Sequence, residues 1–213
     1  TNKSLSFAAQ VATNNNFALN NLAADGETSA RLLDKLTKPD DPDYETVTEA
    51  VKSADVITIT IGGNDLMDAL YAYLAENKPE LGKADEIANK LATGGFDTKA
   101  LTSLIPLISQ FGTSQELTDA LSAFGISLQS IVNTIKECNP DVHIVVTTQY
   151  DPYSHIDTTN LELFKGTIDS VLAVFTNGVN ALNEKINVQD ASYKVADVHT
   201  AFENDTSGDP LRN

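Results

Sequence analysis

With 213 residues, 41% of them hydrophobic and 21% charged, the chain has the composition of a folded globular domain with one substantial core, which excludes a wholly disordered protein. A formal net charge of −16, from 30 acidic and 14 basic side chains, repels phosphate backbones and anionic head groups, so nucleic acid is not an expected partner. No apolar run approaches the roughly 18 residues that cross a bilayer, and residues 1–4 do not open a signal peptide; the expectation is a single domain over 1–213 with no membrane span.

Leu5, Phe7, Ala8, Val11 and Ala12 share one face of a first helix, which Asn14-Asn15-Asn16 stops. Residues 17–23 (Phe17 to Ala23) then read as a short strand, and the turn Ala24-Asp25-Gly26-Glu27 leads into a helix carrying Leu32, Leu33 and Leu36, with Thr28 or Ser29 as its cap. Two prolines and three acids make residues 38–43 a surface loop, and a short helix follows near 45–52. Val56-Ile57-Thr58-Ile59-Thr60-Ile61 is β-branched throughout and bounded by Asp55 and Gly62-Gly63, the pattern of a buried parallel strand.

Residues from Asp65 to about Cys138 carry helical spacing almost without break, divided by Gly94-Gly95 and Gly112. A second β-branched run, Val142 to Thr148, ends at Gln149-Tyr150-Asp151-Pro152, and a long amphipathic helix spans Leu161 to Ile186. A final strand is expected over 193–198, before a polar tail. Strands alternating with helices predict an α/β fold, a three-layer α/β/α sandwich with a mainly parallel sheet, interrupted by a helical insertion at about 66–138. In such folds sites gather at the carboxyl ends of the strands.

Three loops follow the expected strand ends: 24–29, 62–65 and 150–153. Acyl transfer through a tetrahedral intermediate needs hydrogen-bond donors placed in advance around the developing oxyanion, and a glycine amide with an asparagine side-chain amide can supply two. Gly26 and Asn64 suit that task, with Gly63 and Asp65 beside them in support.

Asn21-Leu22-Ala23-Ala24-Asp25-Gly26-Glu27-Thr28-Ser29 resembles the second conserved block of the SGNH (GDSL-type) hydrolases, and Ile59-Thr60-Ile61-Gly62-Gly63-Asn64-Asp65 resembles the third. His143 to Pro152 and Val195 to Phe202 are similar to the family's later strands, so the resemblance covers most of the chain. It implies an SGNH/flavodoxin-like fold and a serine ester hydrolase of lipase or esterase type, working through an acyl-enzyme without a cofactor. The Gly26 amide and the Asn64 side chain would form the oxyanion hole. The substrate would be a small-molecule, lipid or carbohydrate ester. The insertion would shape specificity, and a bacterial, extracellular or cell-surface enzyme is implied; oligomeric state is left open.

The family's nucleophilic serine sits on a Gly-Asp-Ser-Leu turn, and its Asp and His, with two residues between them, lie after the last strand. Neither block is found here. Ser4-Leu5-Ser6 lacks the Gly-Asp and a preceding strand, and Asp197-Val198-His199 has the wrong spacing and falls within the expected last strand. The catalytic serine and the Asp/His pair are therefore unassigned, and both blocks are expected to lie outside this sequence. The alternative is a catalytically incomplete SGNH-fold binding or scaffold module. A flavodoxin-like receiver or nucleotide domain shares the alternation but would need a phosphate loop.

Of the remaining candidates, lone Cys138 reads as core and His143 as structural, while His155 is a loop residue in reserve. Asp65 reads as the cap of the Leu66 helix. Asp40, Asp41 and Asp43 lack the glycine and glutamate of a calcium loop, and one Cys with three scattered His gives no zinc spacing, so no metal is expected. Tyr71, Tyr73, Phe96, Phe111 and Phe124 read as core of the insertion, or as a mobile cap.

Overall fold

The computed structural model describes residues 6–154, 165–188 and 192–204. Among these, strands β1 (Val56–Ile59), β2 (His143–Thr147) and β3 (Lys194–Ala196) form one parallel sheet in the order β1-β2-β3. Val56 is opposite His143 and Ile59 opposite Val146, while Val146 faces Val195 across the second pair. Side chains alternate across a strand, so Ile57, Ile59, Ile144 and Val146 share one face.

That face is the core. Ile59, Ile61, Ile144 and Val146 pack with Leu36 of α2 (Ser29–Thr37), Val51 of α3 (Tyr44–Ser53), Phe124, Leu128 and Ile131 of α7 (Gln115–Cys138), and Leu182 and Ile186 of α8 (Lys165–Ile186). On the opposite face of β1, Val56 is 44% exposed and Thr58 is exposed as well. The α/β class and the parallel sheet thus agree with the sequence reading.

The insertion is helical as expected: α4 (Gly63–Asn77), a 3₁₀ turn (Pro79–Leu81), α5 (Ala84–Thr93), α6 (Thr98–Phe111) and α7. Gly94 ends α5 in the left-handed region and Gly112 ends α6. These helices build a second core from Leu66, Leu70, Tyr73, Leu74, Ile87, Leu104, Phe111 and Leu117, against which Val174 and Phe175 of α8 also pack. Tyr73 and Phe111 are therefore core, Tyr71 and Phe96 pack at its edge, and Phe124 belongs to the sheet core instead. No helix among the described residues is long and apolar enough to cross a membrane.

Two expected strands change. Residues 17–24 follow α1 (Phe7–Asn15) without regular structure, and Phe17, Leu19 and Leu22 stand 55%, 47% and 44% exposed. Asn16 stops α1 in a left-handed cap, and the Asn21 side chain accepts from the Ala23 amide, a local turn that competes with strand pairing. The last strand stops at Ala196 rather than at Val198. Asp197 accepts from the Thr200 amide at 2.9 Å and thereby caps α9 (Val198–Glu203), turning the end of the expected strand into a helix. The start of the expected long helix, at 161–164, lies outside the described residues, as does His155.

Candidate functional site

The carboxyl ends of the three strands are tied to one another by side chains. Thr147 and Thr60 join their hydroxyls at 2.9 Å, linking the exits of β2 and β1. The Thr148 amide donates to the Ala196 carbonyl at 3.0 Å, its hydroxyl donates to Asp197 at 3.2 Å, and the same hydroxyl accepts from the His199 amide at 2.9 Å. A small sheet is thereby held rigid at the edge where α/β sites form.

From this edge β1 runs into the Gly62-Gly63-Asn64-Asp65 turn. Gly62 has φ +114, which only glycine adopts without strain, and a Cβ there would meet Phe124 at 2.8 Å and Leu182 at 2.9 Å. The chain can therefore turn from strand into α4 only with glycine at this position. Asn64 and Asp65 follow in the first turn of α4, and both reach across to the loop that precedes α2.

Asn64 donates its side-chain amide to the Glu27 carbonyl at 2.9 Å. That carbonyl belongs to the residue directly after Gly26, so the two loops singled out from sequence meet here. An asparagine amide carries two hydrogens, and one bond to Glu27 leaves the second to donate elsewhere. Asp65 does not cap its own helix, whose cap position is Gly62. Its carboxylate instead accepts from the Ser29 amide at 3.0 and 3.2 Å and from the Ser29 hydroxyl, holding the first turn of α2. The start of the Leu66 helix suggested a local cap; the orphan amide that Asp65 satisfies is 36 residues away.

The Gly26 loop has further ties. Gly26 has φ +76 and its carbonyl accepts from the Arg31 guanidinium at 2.6 Å. Thr28 is the cap of α2, accepting from the Arg31 amide at 3.3 Å. Glu27 pairs with Lys35 at 2.6 Å, and Lys35 also reaches Asp43 at 3.0 Å. Hydrogen bonds to Glu27 and then to Asp43 raise the Lys35 pKa above its ordinary value. Asp43, one of the acids of the 38–43 loop, thus serves as an ion-pair partner.

The third loop is fixed by residues that the sequence did not single out. Asp151 is fully buried, accepting from the Thr176 hydroxyl at 2.5 Å and the Tyr153 amide at 2.8 Å. Asn183 of α8 brackets the backbone of Gln149: its side-chain oxygen accepts from the Gln149 amide at 2.7 Å and its amide donates to the Gln149 carbonyl at 2.8 Å. A polar residue on the apolar stripe of a long helix was the available sequence signal for Asn183.

Asp197 and His199 reach the same edge on the β3 side without forming a catalytic pair. The Thr200 side chain and amide, with Thr148, hold the Asp197 carboxyl below its ordinary pKa, and the buried His199 Nδ1 has no hydrogen-bond partner among the described residues. A base oriented by a carboxylate requires that bond. His143 is exposed at the amino end of β2, and Cys138 is a half-buried free thiol packed against the sheet core. Two grooves, about 480 Å³ beside Ile126, Lys185 and Tyr193 and about 330 Å³ beside Asp55, Asp141 and His143, lie away from the Gly26 and Asn64 loops.

No family model matches the chain, and no curated protein matches it closely enough to count as a relative.

Proposed function

We propose that this chain carries the oxyanion-binding half of a serine ester hydrolase, within an SGNH-type three-layer α/β/α arrangement. The observation that carries the reading is the bond from the Asn64 side chain to the Glu27 carbonyl. It holds the Gly26 loop against the Gly62-Gly63-Asn64-Asp65 turn at the carboxyl end of β1, where an ester carbonyl can meet two donors. In this reading the Gly26 amide and the free hydrogen of the Asn64 amide receive the oxygen as it gains charge. Donors fixed beforehand lower the barrier because they need no reorganisation as the reaction proceeds.

Asp65, Arg31 and Lys35 act through position, fastening the 26–29 segment to α2 and α4. This reading assigns no residue of the chain as the attacking serine or as the Asp/His pair that activates it. The expected reaction is acylation of that serine with release of the alcohol, followed by attack of water on the acyl-enzyme. A fluorophosphonate probe tests the class. The complete protein should gain one covalent adduct on a serine and lose ester hydrolysis in proportion. Ligand binding without either adduct or hydrolysis would assign the chain to a binding module instead.

A further inference from the structure

Gln149 lies two residues past the end of the central strand β2, and its side chain lies beside the turn that bears Asn64. A Cβ on Gly63 would stand 3.2 Å from the Gln149 Oε1, so the absence of a side chain at 63 is what makes room for the carboxamide there. Its main chain is clamped on both sides by Asn183, itself only 6% exposed. The main chain at Gln149 is therefore fixed by the fold. Yet the Gln149 Nε2 is buried and finds no acceptor among the described residues. A buried donor left unpaired lowers stability, and a leucine or methionine would fill the same space without that cost.

We propose that Gln149 is a substrate-contacting residue of this site, its side-chain amide donating to an oxygen of the bound ester group; the proposal rests on the ester-hydrolase reading above. Three features converge on it. The carboxamide is at the carboxyl ends of β1 and β2, the backbone that bears it is clamped by Asn183, and its donor meets no acceptor among the described residues. Nε2 is buried in the free chain, so the carboxamide turns toward the bound ester to reach an acceptor; the interaction forms only in the complex and strengthens as the oxygen gains charge.

The test uses the complete protein and p-nitrophenyl acetate, with Gln149→Met, Gln149→Glu and Asn64→Ala in parallel. Gln149→Met keeps the shape and removes the donor, so kcat/KM should fall roughly tenfold or more while the melting temperature stays level or rises. Gln149→Glu should fall further at pH 8, where the carboxylate repels the oxyanion. Its deficit relative to wild type at the same pH should narrow as acid restores a donor hydroxyl. A purely structural Gln149 would give no such pH-dependent ratio. Unchanged kcat/KM in Gln149→Met, or an activity loss that tracks a lowered melting temperature in both variants, overturns the proposal. If Asn64→Ala loses activity while Gln149→Met does not, only the Gln149 assignment falls; if the wild-type protein hydrolyses no ester, both fall together.

Discussion

Gly62 carries two demands at once, a left-handed backbone and a vacancy between Phe124 and Leu182. The first excludes β-branched and most other side chains on conformational grounds, and the second excludes even a methyl group, since a Cβ would sit 2.8 Å from a Phe124 ring that is itself 1% exposed. Overpacking and positive φ add, so Gly62→Ala should lower unfolding free energy by about 2–4 kcal/mol, measurable by urea denaturation. A loss below about 0.5 kcal/mol, the range of ordinary surface changes, would mean that the turn relaxes freely. Gly26 differs. Its φ of +76 asks for glycine, but nothing lies within 4 Å of an added Cβ. Its glycine therefore answers to conformation, and to closeness of approach by a ligand under the proposed reading, rather than to packing.

At the scale of elements, the 24–29 loop is fastened to α2 by Lys35 and Arg31 and to α4 by Asn64 and Asp65. Lys35 gives this joint a pH signature. Its pKa is raised in the folded protein by bonds to Glu27 and Asp43, so its contribution to stability is fully present below the ordinary lysine value near 10.5 and fades as pH rises through the higher folded value. Urea midpoints measured from pH 8 to pH 11.5 should therefore decline more steeply in wild type than in Lys35→Met; parallel declines would show that the pair contributes nothing.

Much of this arrangement is legible in the chain. The β-branched runs at 56–61 and 142–148 and the three- and four-residue apolar steps of α7 and α8 announce themselves, because burial on one face leaves a period in the sequence. The loops of Gly26 and Asn64 are both recognisable, and the Asn64 side chain bonds the Glu27 carbonyl next to Gly26. What periodicity misses is competition by local polar groups. Asn21 and Asp197 each bond a nearby amide and end or prevent a strand that apolar alternation suggested. Long-range capping is equally hidden. Asp65 reads as the cap of its own helix, yet serves α2, and no local spacing records that.

At the scale of the whole molecule, two cores divide the labour. One seals the inner face of the sheet with α2, α3, α7 and α8, while the other fills the space among α4, α5, α6 and α7. Phe124 lies in the first and Leu117 in the second, so α7 spans both, and the Asn64 turn emerges where α4 leaves the sheet. The insertion is thus continuous with the frame that holds the candidate site. A net charge of −16 opposes the approach of anionic ligands, a repulsion that an uncharged ester does not meet. The most direct test of the proposed chemistry is the kcat of Asn64→Ala in the complete protein with p-nitrophenyl acetate, alongside its thermal stability. If Asn64 donates to the oxyanion, kcat falls about a hundredfold or more in a protein that still folds; full turnover in that variant would contradict the assignment.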